Sequence, residues 1–103
     1  MSKVLVIADI GVNFQGNIKL AENLITVANQ IGCNAAKFQL YDVDALFPEK
    51  QIITQNTNWY GVVKKTQLTK EQTFGLANYC AKLNMEFMAS TYDLERLSWL
   101  EEI

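Results

Sequence analysis

The sequence contains no histidine, a single proline, two cysteines and five glycines in 103 residues. Without histidine the commonest general base and the commonest transition-metal ligand are both missing, so chemistry of either kind falls to carboxylates, lysine or groups from elsewhere. The two cysteines, Cys33 and Cys80, lie far apart with no CxxC spacing and read as small buried thiols, not as a disulfide or a metal site. An excess of positive charge is missing as well. Nine Lys plus Arg against eleven Asp plus Glu leave a net charge of −2, and the basic residues are scattered, which excludes the electrostatic footprint of a nucleic-acid partner. Long hydrophobic runs are also lacking: the longest, Val4 to Ala8, falls far short of the roughly 20 residues of a membrane span and has no signal-cleavage pattern. These absences point to a soluble, cytoplasmic chain with neither a nucleic-acid nor a membrane partner.

What is present suits a folded protein. Half of the residues are apolar, 11% are aromatic and 19% are charged, unlike the low-hydrophobicity, high-charge profile of disordered segments. The length matches one ordinary domain of roughly 100–150 residues. No repeat, low-complexity stretch or Pro/Gly linker divides it, so residues 1–103 read as one portion of a single domain.

The stretch Lys3 to Asp9 is a run of β-formers ending at a charge, the pattern of a parallel strand buried on both faces. Gly11 and Gly16 punctuate the polar segment after it. Asn17 can then cap a helix whose apolar positions Leu20, Leu24, Val27, Ala28 and Ile31 recur at helical spacing, with Gly32 as a left-handed C-cap. Asn34 to Gln39 reads as a second strand, which completes a βαβ unit. Between Leu40 and Lys65 the pattern is mixed, consistent with a long excursion and a short helix near Trp59 to Lys65. Thr69 and Gln72 have capping-box spacing and open a second long helix that carries Leu76, Cys80 and Leu83 toward a sheet. Gly75 inside it would allow close packing. Met85 to Ser90 is a third strand, and Asp93 caps a last helix with Leu94, Leu97 and Leu100 on one stripe. The order is (βα)₃.

Side chains alternate across a strand, so Leu5, Ile7 and Asp9 share one face, as do Ala35, Lys37 and Gln39. If those faces point into an α/β barrel, Asp9, Lys37 and Gln39 converge at its C-terminal mouth, with Ser90 at the same level. An acid, a cation, an amide and a hydroxyl together suit a small molecule, and Lys37 offers a compact charge for phosphate or carboxylate. Plainer readings stand beside this one. Asp9 and Lys37 could form a structural ion pair, Asn13 could be a turn residue, Asp93 a helix cap, and Trp59 and Tyr60 loop packing. The Gly11 to Gly16 segment matches neither GxGxxG nor a Walker loop, which excludes nucleotide binding on motif grounds.

Four segments carry a family resemblance. Ile7-Ala-Asp-Ile-Gly-Val-Asn-Phe-Gln-Gly16 resembles the IAEIGxNHNG opening of the sialic acid synthase (N-acetylneuraminate synthase) family. Ala36-Lys-Phe-Gln39 is similar to its VKFQ strand, Asp42-Val-Asp-Ala-Leu46 to its acidic-Leu segment, and Phe87-Met-Ala-Ser-Thr-Tyr-Asp-Leu-Glu95 to its FLSTPFDLE turn. The resemblance implies an α/β fold comprising the first three βα units of a TIM-type (β/α)₈ barrel, an incomplete barrel with parallel strands and outer helices. It also implies condensation of phosphoenolpyruvate with an N-acyl-mannosamine-type sugar, giving a nonulosonic acid and phosphate. Position by position, Asp9 matches the active-site glutamate, Lys37 the lysine that holds phosphoenolpyruvate, and Ser90 a threonine that also contacts it. Gln39 and Asn13 match motif residues near the substrates, whereas Asn56 and Tyr60 match only loosely in a variable segment.

A divalent metal, Mn or Mg, is implied too, but the family's histidine ligands lie on later strands and have no counterpart in this chain. Departures are specific: Asp9 is one methylene shorter than glutamate, Phe14 replaces a histidine near the mouth, Leu40 a threonine and Thr91 a proline. A full barrel needs about 250 residues. The expectation is therefore that the 103 residues alone are inactive and either self-associate or are completed by missing barrel segments. The alternative is a non-catalytic α/β module that acts by protein association.

Overall fold

A computed structural model describes residues 4–103. Three parallel strands form its sheet: β1 (Ile7–Gly11), β2 (Ala35–Leu40) and β5 (Glu86–Thr91), in the order β1-β2-β5. Helix α1 (Ile18–Gln30) connects the first pair. The longer link between β2 and β5 runs through α2 (Val43–Leu46), the two-residue strands β3 (Ile53–Thr54) and β4 (Thr57–Asn58), α3 (Tyr60–Lys65) and α4 (Lys70–Lys82). Helix α5 (Leu94–Glu102) follows β5. The (βα)₃ order is therefore present, with a parallel sheet and helices packed on one of its faces. Among the described residues no helix is long and apolar enough to cross a membrane.

Local signals place the helix starts where the sequence predicts them, because caps satisfy the free N–H groups of a first turn. The Asn17 side chain accepts from the Leu20 N–H at 3.1 Å. Thr69 Oγ1 accepts from the Gln72 N–H at 3.1 Å while Gln72 Oε1 accepts from the Thr69 N–H at 3.0 Å, a complete capping box. Asp93 accepts from the Arg96 N–H at 2.8 Å. Gly32, at φ +94°, ends α1 in the left-handed region as expected.

The core forms between the helices and the sheet face that carries Ile10, Ala36, Phe38 and Leu40, with Phe87 and Ala89 packed against it. Phe38 joins Phe14 edge-on at 5.9 Å between centroids and stacks on Phe87 at 5.6 Å, favourable aromatic geometries. Phe14, expected near the mouth, instead lies in this core and is 1% exposed. An aromatic hydrocarbon gains more there than a polar ring could.

Other expectations need correction. Strand β1 starts at Ile7, not Lys3. Val4, Leu5 and Val6 are exposed, and Lys3 lies outside the described residues. Pairing explains the late start: β2 begins only at Ala35, and the approach to β1 is held by Asn34, whose Oδ1 accepts from the Val6 N–H at 2.9 Å. Nor is β1 buried on both faces, since Ile7 is 40% exposed.

In α1 the buried residues are Ala21, Ile25 and Ala28, while Val27 and, just past the helix end, Ile31 face solvent. Leu20 and Leu24 of the expected stripe do pack, partly buried, against the core beside this buried line, and the small alanines permit a close approach of the helix to the sheet. In α5, Leu94 and Leu97 are exposed, and Arg96 and Trp99 are buried instead. Trp99 has the larger apolar surface, and the Arg96 guanidinium stacks 4.8 Å from its ring centre while pairing with Asp93 at 3.0 Å. Gly75 serves no close contact: a Cβ built there meets nothing within 4 Å.

Candidate functional site

Because Ala36, Phe38 and Leu40 face the helices, alternation turns Lys37 and Gln39 to the opposite, open face of β2. The same parity sets Ile7 and Asp9 of β1 and Glu86, Met88 and Ser90 of β5 on that face. Register then decides which residues are neighbours. Asp9 pairs with Lys37, and Lys37 with Met88, forming one row across three strands. Gln39 pairs with Ser90 in the next such row, about 6.6 Å further toward the C-terminal ends at roughly 3.3 Å per residue. The structure thus brings Asp9 beside Lys37 and Gln39 beside Ser90, at two levels instead of one.

Asp9 is exposed and Lys37 half-buried. Among the described residues neither forms an ion pair, with the other or with anything else. Two opposite charges on adjacent strands that are not spent on each other remain available to a ligand. Immediately after Asp9 the ladder shifts by one residue, so that Gly11 pairs with Phe38, and Gly11 sits at φ +56°. Such bulges bend a strand and redirect the residues beyond them. Here the bulge turns the chain into the loop containing Asn13, whose N–H donates to the Ile10 carbonyl at 2.9 Å. Asn13 is an exposed turn residue.

Continuing the alternation past Gln39 and Ser90 leads to Tyr41 and Tyr92, whose rings meet edge-on at 6.2 Å. With Val43, Leu46, Val63 and Gln39 they line a cavity of about 290 Å³ at the C-terminal end of the sheet. Gln39 alone of the expected site residues lines it; Asp9, Lys37 and Ser90 lie on the open face below.

The Tyr41 hydroxyl hydrogen-bonds to Thr66 Oγ1 and donates to the Val63 carbonyl at 3.1 Å. Burial raises its pKa. Outside this cavity, the Tyr60 hydroxyl donates to Asp44 and Lys64 Nζ lies 3.1 Å from the other Asp44 oxygen. The Tyr60 bond first, and Lys64 second, hold the Asp44 carboxyl below its usual range. These contacts fix α3 against α2 as one wall of the mouth. Tyr60 therefore braces the wall instead of facing the cavity, and Asn56 lies in the β3–β4 turn at φ +62°.

Met88, Tyr41, Tyr92 and Thr66 were not legible as site residues. A signal for three of them existed: Met88 lies two positions before Ser90, and Tyr41 and Tyr92 lie two positions beyond Gln39 and Ser90, on the same face. Among the described residues no three His, Cys, Asp or Glu side chains converge to hold a metal ion.

Comparisons with known proteins place the chain in a family. The chain is 32% identical over 111 residues to the N-acetylneuraminate-9-phosphate synthase of Drosophila melanogaster, covering all of this chain and 30% of that protein. It is 28% identical over 103 residues to the N,N'-diacetyllegionaminic acid synthase of Legionella pneumophila, covering 92% of this chain and 29% of the relative. The crystal structure of N-acetylneuraminic acid (sialic acid) synthetase from Leptospira borgpetersenii in complex with citrate superposes with a TM-score of 0.83 at 30% identity. That match spans 98% of this chain and 33% of the other. The chain therefore spans about a third of the length of these relatives. Strand register, motif order and likeness to synthases converge with a NeuB family profile that matches residues 24–103, and the chain belongs to the NeuB family.

Proposed function

We propose that the chain supplies the first three βα units of a (β/α)₈-barrel synthase that condenses phosphoenolpyruvate with an N-acyl-mannosamine-type sugar. The observation that carries this reading is the Asp9–Lys37 row, an unpaired acid and cation placed side by side on the sheet face turned away from the helices. In a closed barrel that face is the interior.

The Lys37 ammonium meets the phosphate or carboxylate of phosphoenolpyruvate as a point charge. The Ser90 hydroxyl, one row on, donates to the same anion, and Gln39 and Asn13 contact the substrates from the mouth. The C=C electron pair of the enol forms the bond to the open-chain aldehyde carbon as the aldehyde C=O π bond opens, and the resulting alkoxide oxygen takes a proton from solvent water. The former enol-phosphate carbon is left electron-poor, and the Asp9 carboxylate beside it stabilises that charge and accepts a proton from the water that adds there. The adduct's C–O bond to phosphate then breaks, its hydroxyl proton leaves with the phosphate, and the carbon becomes the keto group of the product acid. The divalent cation implied by the resemblance does not fit the described residues, which hold no ligand set for it. Its ligands would come from segments outside this chain.

The test is phosphate release from phosphoenolpyruvate by the protein that carries this chain, with Mn²⁺ and a series of acylated mannosamines. Release that requires the sugar supports the reading, and its absence with every sugar overturns it. The 103 residues alone are expected to release none.

A further inference from the structure

Independently of the reaction proposed above, we infer that copies of this chain join head to tail, the β5 edge of one sheet receiving the β1 edge of the next, and that three copies close a ring. Among the described residues both outer strands pair along one edge only. The β5 edge is hollowed. A cavity of about 440 Å³ there is lined by the successive residues Met85 to Ala89, with Leu100 of α5 and Ile103 just past it. Successive residues of an extended chain point to opposite faces, so a cavity that touches all five opens at the side of the strand and not on either face. Its only charged side chain is Glu86. Helix α5 borders this gap because it follows β5 as α1 follows β1, yet no strand beyond β5 lies beneath it among the described residues.

The apolar stripes of the helices point the same way. In α1, Thr26 Oγ1 hydrogen-bonds to the Tyr79 hydroxyl of α4 at 2.6 Å, so the Thr26 side of the helix faces α4. At about 100° per residue, Leu20, Leu24, Val27 and Ile31 fall on the other side of the buried line, toward the free edge of β1. In α5, Glu102 pairs with Lys70 of α4 at 3.0 Å, which leaves Leu97 and Leu100 on the flank away from α4, toward the free edge of β5. One end of the molecule thus joins an apolar flank to the exposed lead-in Val4 to Ile7, and the other joins an apolar flank to an apolar hollow. Lead-in and hollow share the N-terminal level of the sheet, since Ile7, Ala35 and Glu86 form one row. A second copy supplies both missing pieces at once: its lead-in enters the hollow while its α1 flank meets Leu97.

The amount of exposed surface agrees. The chain presents 6900 Å² to solvent, about 1000 Å² more than the roughly 5900 Å² of a compact monomer of its mass, and a standard interface takes about 800 Å² from each partner. Repeating one contact between unlike patches makes a ring when the rotation closes. Each copy brings three strands, so two copies give six and three give nine, next to the eight of closed barrels whose interiors are filled by side chains. Closure therefore comes at three, with the Asp9–Lys37 rows turned inward.

The experiment is sedimentation equilibrium of the 103-residue chain and of two variants at exposed positions, one on each flank, Val27→Lys and Leu97→Lys. The parent should reach a plateau at three chain masses. Either variant carries a charge into every contact and should sediment as a single chain, with a circular dichroism spectrum unchanged from the parent. Mixed one to one, the variants should form a species of two chains and nothing larger, because the intact α5 flank of the Val27→Lys chain meets the intact α1 flank of the Leu97→Lys chain only once. Hydrogen exchange of the parent gives a reading free of substitutions: amides of residues 4–9 and 86–91 should gain protection together as concentration rises. A parent that stays a single chain, stops at two or grows without a plateau overturns the ring. So do folded variants that still associate alone, a mixture that yields no pair, or protection confined to one of the two strands.

Discussion

Lys37 sits at the centre of its strand with Asp9 on one side and Met88 on the other, and nothing in the described protein neutralises it. Its removal therefore leaves no buried partner unsatisfied, which separates binding from folding. In Lys37→Met a loss of phosphoenolpyruvate affinity of roughly 10- to 100-fold is expected, the equivalent of about 1.5–3 kcal/mol for hydrogen bonds to a charged group. Thermal stability should stay close to that of the parent. Titration calorimetry beside a melting curve checks both, and unchanged affinity would remove Lys37 from the anion site.

The two thiols offer a second single-residue test. Burial pushes the Cys80 thiol up to about 11 from an ordinary 9.0, whereas Cys33 is only partly covered. Reactivity needs the thiolate and access, so alkylation of the native protein should label Cys33 first, with Cys80 modified only on unfolding. Mass spectrometry of the alkylated peptides decides it. A thiol whose pKa is raised in the folded state favours folding fully below pH 9.0, and that contribution is lost as pH rises toward about 11.

At the scale of elements, what the sequence made legible was what depends on near neighbours. Asn17, Thr69 and Asp93 announce helix starts because each satisfies N–H groups within its own first turn. Alternation correctly grouped Asp9, Lys37 and Gln39 because a strand has only two faces. What depended on distant partners was not legible. The level of Asp9 relative to Ser90 is set by register across three strands, and the buried side of α5 by Trp99, with Leu100 beside it, outweighing Leu94 and Leu97. The β3–β4 hairpin escaped notice since its four residues are all exposed and show no apolar alternation.

Two glycines show the same contrast and can be tested together. Gly16, at φ +77°, lies so close to α3 that an added Cβ would collide with the Lys65 carbonyl. Gly16→Ala should thus combine left-handed backbone strain of about 1–2 kcal/mol with displacement of the cavity wall. Gly75→Ala adds a methyl where nothing lies within 4 Å and should stabilise α4 by about 0.8–1.0 kcal/mol. Near 100 residues each kcal/mol moves the melting temperature by roughly 4–8 °C, so calorimetry should show shifts of opposite sign. A neutral or stabilising Gly16→Ala would refute the packing of α3 against the Gly16 loop.

For the whole molecule the decisive feature is that helices cover only one side of the sheet. Among the described residues β1 and β5 each pair along a single edge, and the lead-in to β1 exposes Val4, Leu5, Val6 and Ile7 at 80% to 40%. Unpaired edges next to exposed apolar side chains are templates for association. The face that would line a barrel interior carries Ile7 and Met88 as well as the charged row, so covering it removes apolar surface from water while keeping Asp9 and Lys37 as opposite charges for a facing surface. The isolated 103-residue chain should accordingly sediment above the mass of one chain, with a weight-average mass that climbs with concentration. Leu5→Lys with Ile7→Lys puts two like charges on that same face and should shift the chain toward monomer while leaving the helix-side core, and so the circular dichroism spectrum, intact. A parent chain that stays monomeric at high concentration would mean that the exposed face is tolerated in water, and the case for its being an interior surface would lose its energetic support.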